Sequence, residues 1–96
     1  MEKFTIKYGD DFWNDLKQVI DWYDAVSKEF CNKFLDEIWF AENKLINNPY
    51  AFRKVNNRGF RRILVTHFKY NIYFKIINDV VIVIALINSF IQIKQV

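Results

Sequence analysis

The chain has 96 residues, of which 52% are hydrophobic and 19% aromatic, and its formal net charge is +3. This length suits a single small domain over residues 1–96, and the high apolar content excludes a disordered chain. The single cysteine, Cys31, excludes an internal disulfide framework and indicates a reducing compartment. We find no signal peptide and no run of roughly 20 apolar residues, so we expect a cytoplasmic protein with no membrane partner.

The N-terminal quarter predicts a short strand followed by a helix. Residues 4–8 alternate between apolar and polar side chains, as a strand with one inward face does. Asp10 and Asp11 follow, and either carboxylate is suited to cap a helix. This helix is expected to run to about Val26, because apolar residues repeat at helical spacing at Phe12, Leu16, Val19, Ile20 and Tyr23.

A second helix is predicted to begin after Ser27, a favourable N-cap, and to end before Pro49. The two helices would form an antiparallel hairpin. The buried stripe of the second helix is predicted to be Phe30, Phe34, Ile38, Ala41 and Leu45. Three tryptophans lie partly off these stripes, and they serve either wide packing faces or a surface kept for a partner: Trp13, Trp22 and Trp39.

Three runs rich in β-branched and aromatic residues occupy 59–68, 69–77 and 80–87. Asn78 and Asp79 suit the hairpin turn before the last run, which is apolar throughout and predicts a central strand covered on both faces. The predicted fold class is therefore α+β: a short N-terminal strand, a two-helix antiparallel hairpin and a three-stranded antiparallel meander, forming one small sheet. Residues 88–96 would extend the last strand, pack back or lie on another chain.

The charge is unevenly distributed along the chain. Residues 1–48 hold 10 acidic and 6 basic side chains, a net charge of −4, whereas residues 49–96 hold 1 acidic and 8 basic, a net charge of +7. A patch of one sign attracts an anionic partner, although cations also protect strand edges. We predict target or nucleic-acid binding by six cations in a segment without an acid: Arg53, Lys54, Arg58, Arg61, Arg62 and Lys69.

Few residues could carry chemistry of their own. His67 is the only histidine, so we expect neither a histidine-pair metal site nor any other metal site. Two glycines exclude a glycine-rich phosphate loop, and we expect no small-molecule cofactor. His67 is interpreted as a strand residue with one hydrogen bond, or alternatively as a group that meets phosphate or acts as a general base.

The order of elements and several strand motifs resemble the RelE/ParE superfamily of bacterial toxins. Gly-Phe-Arg-Arg at 59–62 resembles the entry to the meander in ParE-type members, and 68–74 resembles their Phe-Pro-Tyr-x-Ile-Tyr-Tyr segment with lysine in place of proline. The apolar strand 81–87 followed by Asn88 and Ser89 is similar to their final strand. The resemblance covers essentially the whole chain.

This resemblance implies the toxin of a type II toxin–antitoxin module, of the kind that stabilises plasmids. Its partner would be a cognate acidic antitoxin that wraps a helix and a strand around the toxin and so prevents growth inhibition. The candidate targets are DNA gyrase, which ParE-type members poison without hydrolysis, and the ribosome, where RelE-type members cleave mRNA.

The residues match the ribonuclease branch poorly. The resemblance carries one basic catalytic position onto Arg62, but the other three fall on Leu64, Asn71 and Ile91, and no tyrosine follows Tyr73. Loss of one charge-stabilising donor typically costs about 10²–10³ in rate. We therefore favour a ParE-like toxin that is not an enzyme. The alternatives are an mRNA endonuclease with an altered site around Arg61, Arg62 and His67, supported by Arg58 and Lys69, and a degenerate, non-toxic member that binds its antitoxin.

Overall fold

The structure is a computed structural model that describes residues 3–65 and 67–88 of the chain. Its elements follow the predicted order, and the α+β fold class is confirmed. No helix in the described ranges is long and apolar enough to cross a membrane. The elements are β1 (Thr5–Tyr8), α1 (Asp10–Val26), α2 (Lys28–Asn47), a 3-10 turn (Pro49–Ala51), β2 (Arg61–Val65), β3 (Tyr70–Ile77) and β4 (Val80–Asn88).

The four strands form one sheet in the order β1-β4-β3-β2. Strand β4 is central, as its apolar run predicted, and pairs in parallel with β1 and antiparallel with β3. The predicted turn joins β3 to β4, and Asn78 adopts a φ of 56°, a conformation that asparagine tolerates well. A register shift in the β3–β4 pairing lies between Tyr73 and Phe74, which adds one residue to β4.

Both helices pack on the same face of the sheet. The core joins three buried residues of α1 and four of α2 to the residues of the strands that alternate toward the helices. The helices cover one face of β4, and the residues on its other face, such as Ile82 and Ile84, are half-buried. The buried core consists of Phe12, Leu16, Val19, Phe34, Ile38, Ala41, Leu45, Ile63, Val65, Ile72, Phe74, Val81, Val83 and Leu86.

The N-termini of α1 and α2 are capped differently. Gly9, rather than an aspartate, is the N-cap of α1, and Asp10 and Asp11 lie in the first turn, where their charges favour the helix dipole. Ser27 caps α2 as predicted, since its Oγ accepts a hydrogen bond from the Phe30 amide at 3.3 Å. Phe30 itself was wrongly placed in the buried stripe: at the first turn of α2 its side chain is 50% exposed.

Two polar contacts fasten the helices to the sheet. The Tyr8 hydroxyl of β1 donates a hydrogen bond to Glu42 of α2, and the pair is partly buried. Burial, together with the hydrogen bond and charge of Glu42, raises the pKa of Tyr8 well above its ordinary value. On α1, the Asp15 carboxylate accepts a hydrogen bond from the Leu86 amide at 3.0 Å, close to the irregularity in β4.

The three tryptophans are more exposed than packing faces would leave them. Trp13, Trp22 and Trp39 retain 49%, 62% and 54% of their accessible surface. Trp13 contacts the Tyr8 ring at 5.1 Å between centroids, and Trp22 contacts Tyr23 at 5.0 Å, so each ring is only partly covered. The three side chains therefore pack only in part against the core.

Candidate functional site

The segment before β2, residues 52–60, is an ordered turn that we call the basic loop. The Val55 amide donates to the Phe60 carbonyl at 2.8 Å, and Lys54 forms a β-bridge with Arg61. The Asn56 side-chain oxygen accepts from the amides of Arg58 and Phe60 at 2.9 and 3.3 Å. Gly59 has a φ of 90°, which only glycine adopts readily, so the glycine of the Gly-Phe-Arg-Arg motif has a conformational role.

Arg61 anchors this loop to the body of the protein. Its position in β2 lies opposite Phe74, on the helix side of the sheet. Its guanidinium donates to the Phe52 carbonyl at 2.5 Å and to the Tyr50 carbonyl at 3.5 Å, and it lies 5.2 Å from the centre of the Tyr50 ring. One guanidinium nitrogen makes both hydrogen bonds, and these tie Arg61 to the chain that enters the loop.

The other cations of the loop point to solvent. Arg53, Lys54, Arg58 and Arg62 are all exposed. Sequence reasoning missed Lys75 of β3, whose ammonium lies 5.3 Å from the centre of the Phe60 ring beside the loop. No salt bridge joins any of them to another residue in the described ranges. We call this set the loop cations: Arg53, Lys54, Arg58, Arg62 and Lys75.

His67 and Lys69 lie at the opposite end of β2. This strand has five residues, so its ends are roughly 13 Å apart. His67 was wrongly predicted to lie in a strand: it belongs to the turn between β2 and β3, and its Nδ1 lies 3.1 Å from a carboxylate oxygen of Glu37. The turn also holds Lys69 with a φ of 59°. The structure thus separates His67 and Lys69 from the arginines with which they were grouped.

The positions expected to be basic in a ribonuclease lie together on the outer face of the sheet. Leu64 of β2 pairs directly with Asn71 of β3, and Arg62 is the next outward residue on β2. Leu64 is exposed and Asn71 is buried. Because both are uncharged, Arg62 contributes the only cation among these three positions. The fourth position, Ile91, lies outside the described residues, as do Ser89 of the Asn-Ser motif and the rest of the C-terminal tail.

Two further features of the described residues concern metal ions and the cysteine. No cluster of histidine, cysteine and carboxylate side chains within it could hold a metal ion. Cys31 is buried in α2, and its thiol lies 3.9 Å from the Ile20 carbonyl. What the basic loop presents is a patch of exposed positive charge beside the Phe60 ring, suited to binding an anionic surface.

Comparison with known proteins places this fold. No family model and no curated protein sequence matches the chain. A chain in the solved structure described as "Chromosomal ParDE TA system from P. aeruginosa" matches 88% of this chain and 95% of its own length, with a TM-score of 0.76. The chain has the same fold as that chain of the ParDE system. The sequences are 14% identical, so the likeness is one of fold.

This shared fold confirms the architecture that the strand motifs indicated. In this fold the Gly-Phe-Arg-Arg motif forms the corner between the basic loop and β2, with Gly59 turning the chain and Arg61 anchoring it. Arg62 is left on the opposite face of the strand. The motif therefore has a structural half and an exposed half, which residue type alone does not distinguish.

Proposed function

We propose that this protein is the toxin of a type II toxin–antitoxin pair that acts in the bacterial cytoplasm. The observation that carries the proposal is the fold likeness to a chain of a ParDE system along almost the full length of both chains. The exposed loop cations and the three exposed tryptophans agree with a protein that binds other macromolecules.

We further propose that it inhibits growth by binding a gyrase-type target rather than by cleaving RNA. Two observations support this choice. Arg62 is the one cation at the three described positions that are basic in the ribonuclease branch, and His67 lies at the far end of β2 from the loop cations. Stabilising a developing phosphate charge requires several donors directed at one point, and these side chains do not converge.

The cognate antitoxin is proposed to be acidic and to cover both charged and apolar surface. Acidic side chains would pair with the loop cations, while the outer edge of β2 beyond its bridge at Arg61 offers backbone groups for an added strand. We assign target binding to Arg53, Lys54, Arg58 and Arg62 together with Lys75, so an acidic antitoxin that covers these residues would block access to the target. Lys69 is proposed to bind separately, at the other end of the hairpin.

Induced expression in a bacterial host, with and without the adjacent gene, tests the proposal. We expect growth arrest with filamentation and a DNA-damage response, and relief when the neighbouring reading frame is co-expressed. A matched pair of variants, Arg62→Gln in the loop cations and Lys17→Gln on α1, tests the assigned surface. The first should reduce toxicity and the second should leave it unchanged.

Two results would contradict the proposal in different ways. Halted translation with mRNA cut on ribosomes would replace the gyrase-type target with the ribonuclease alternative. Normal growth at confirmed expression of folded protein would indicate a degenerate member that binds its antitoxin without toxicity.

A further inference from the structure

A cleft of about 680 Å³ lies between α2 and the turn that precedes β3. This volume falls within the range of pockets that hold small ligands or peptide side chains. Three aromatic rings line it, from Tyr23 of α1, Phe30 of α2 and Phe68 of the turn. The rings of Tyr23 and Phe68 meet edge to face, with centroids 5.5 Å apart. We call this site the α2 cleft.

The charged lining of the α2 cleft is acidic on balance. Asp36 and Glu37 carry two negative charges, and Lys33 carries one positive charge. The Lys33 ammonium lies 3.8 Å from Glu29, one turn earlier on α2, which offsets its charge. Two carboxylates against one lysine therefore favour a cation in the cleft, in contrast to the loop cations at the other end of β2.

Glu37 is the best-placed group for holding such a cation. Its side chain is only 24% exposed, so its carboxylate is partly desolvated and its interactions with charge are strengthened. Its present partner, His67, is 74% exposed and sits on a turn. A ligand could displace this ring outward without disturbing the core.

We propose that the α2 cleft binds an arginine side chain of a partner protein. A guanidinium is planar and stacks on aromatic faces, and its fork of donors can pair with a carboxylate at two points. Aromatic rings and a partly buried carboxylate in one cleft provide both kinds of contact. A lysine ammonium would use the carboxylate but would stack less well. The occupant is thus a segment that presents arginine beside an apolar residue, which Phe30 would cover.

Binding in the α2 cleft can be measured on the purified chain alone, independently of whether the protein is toxic. The probe is N-acetyl-arginine methylamide, and its matched control is N-acetyl-citrulline methylamide, which has nearly the same shape without the charge. In a ¹H–¹⁵N NMR titration we expect the arginine compound to shift the amides of 33–37 and 67–68 saturably. The citrulline compound at equal concentration should produce little change.

Variants separate the acidic and aromatic parts of the cleft. Glu37→Gln and Asp36→Asn should each weaken arginine binding, and Glu37→Gln by about tenfold, since a charge-assisted hydrogen bond is lost. Phe30→Ala should also weaken it. The matched control is Phe40→Ala, because Phe40 lies on the same helix outside the cleft and is 58% exposed against 50% for Phe30.

Three outcomes would overturn the inference. Equal responses to the arginine and citrulline compounds would show that charge does not determine binding. Unchanged affinity in Glu37→Gln would show that the cleft acid is not the ligand. Tighter binding of N-acetyl-glutamate methylamide than of the arginine compound would assign the site to an acidic partner instead. All the substituted side chains except Glu37 are exposed, and the Glu37→Gln change preserves shape, so loss of folding will not obscure the result.

Discussion

Tyr8 and Glu42 form a contact that joins β1 to α2 across 34 positions of sequence. Removing the hydroxyl in Tyr8→Phe leaves a partly buried carboxylate without this donor, and an unsatisfied polar group of this kind costs about 1–3 kcal/mol. We expect the free energy of unfolding, measured by urea denaturation, to fall by that amount. Tyr50→Phe is the control, because Tyr50 is exposed. Equal effects of the two substitutions would contradict a specific role for the Tyr8 hydroxyl.

The same pair predicts how stability changes at alkaline pH. A tyrosine in an unfolded chain has a pKa of about 10, and burial, followed by the contact with Glu42, raises the pKa of folded Tyr8 above that value. The unfolded chain therefore loses this proton first, so the stabilisation is complete below about pH 10 and decreases above it. The stability difference between the wild type and Tyr8→Phe should therefore narrow progressively as the pH rises above about 10. A constant difference would contradict the assignment.

Arg61 and Arg62 are neighbours in sequence but should respond differently to mutation. Arg61→Ala removes donors to the Phe52 and Tyr50 carbonyls, and we expect it to lower the free energy of unfolding by about 1–3 kcal/mol. Arg62 is exposed, so Arg62→Ala should change the free energy of unfolding by no more than about 0.5 kcal/mol. We expect the same substitution to weaken partner binding and to reduce the salt dependence of that binding. Denaturation and binding titrations of both variants provide the check. The reverse assignment of effects would show that Arg61 is the exposed ligand.

At the level of secondary-structure elements, the break between α1 and α2 depends on Ser27. Its backbone amide donates to the Tyr23 carbonyl at 2.7 Å, and its side chain caps α2, so one residue ends one helix and begins the next. Ser27→Ala should destabilise the protein by about 1 kcal/mol, whereas Ser27→Asp, another good N-cap, should retain most of the stability. Thermal denaturation of the two variants distinguishes capping from other effects of substitution. Equal losses in both would mean that the hydroxyl cap contributes little.

The element order could be predicted because each element depends on local pattern. Helical periodicity, the Ser27 cap, Pro49 and the Asn78 turn are all readable from neighbouring residues, and the elements that they predicted are present in the structure. The apolar run of β4 is less informative, because a continuous apolar run predicts burial on both faces but does not reveal which layers cover them. The helices cover one face only, and Ile82 on the other remains half-buried.

The candidate site was less predictable because it depends on direction and on distant contacts. Adjacent residues on a strand face opposite ways, and this rule could have separated Arg61 from Arg62 in the sequence. No local sequence pattern indicates that the Arg61 guanidinium contacts Phe52 or that Lys75 lies over the Phe60 ring. The same is true of the contact between His67 and Glu37, thirty positions away. These contacts follow from the packing of helices on the sheet, so they required the structure.

For the whole molecule, the separation of charge in sequence becomes a separation in space. The acids are concentrated on the helical layer, whereas the loop cations gather at one corner of the sheet. Removing Arg53, Arg58 and Arg62 together by substitution with glutamine should slow association with the acidic product of the adjacent gene and flatten the dependence of the rate on salt. Stopped-flow measurements at several ionic strengths provide the test.

The control for this experiment removes the same number of charges elsewhere. Glutamine at Lys17, Lys28 and Lys44 changes three exposed lysines of the helices and leaves the loop intact. If the helix variant alters the salt dependence as much as the loop variant does, overall net charge rather than the corner of the sheet controls the encounter.

The parallel pairing of β1 with β4 also constrains when the sheet can form during synthesis. Thr5 pairs with Val80, so the first strand to be synthesised must wait for the last strand of the described sheet before it acquires its neighbour. Contacts of such long sequence separation form late, because a large loop must close first. A nascent chain that stops short of β4 lacks the central strand and cannot complete the sheet. The sheet, and every surface that depends on it, can therefore form only after β4 has been synthesised.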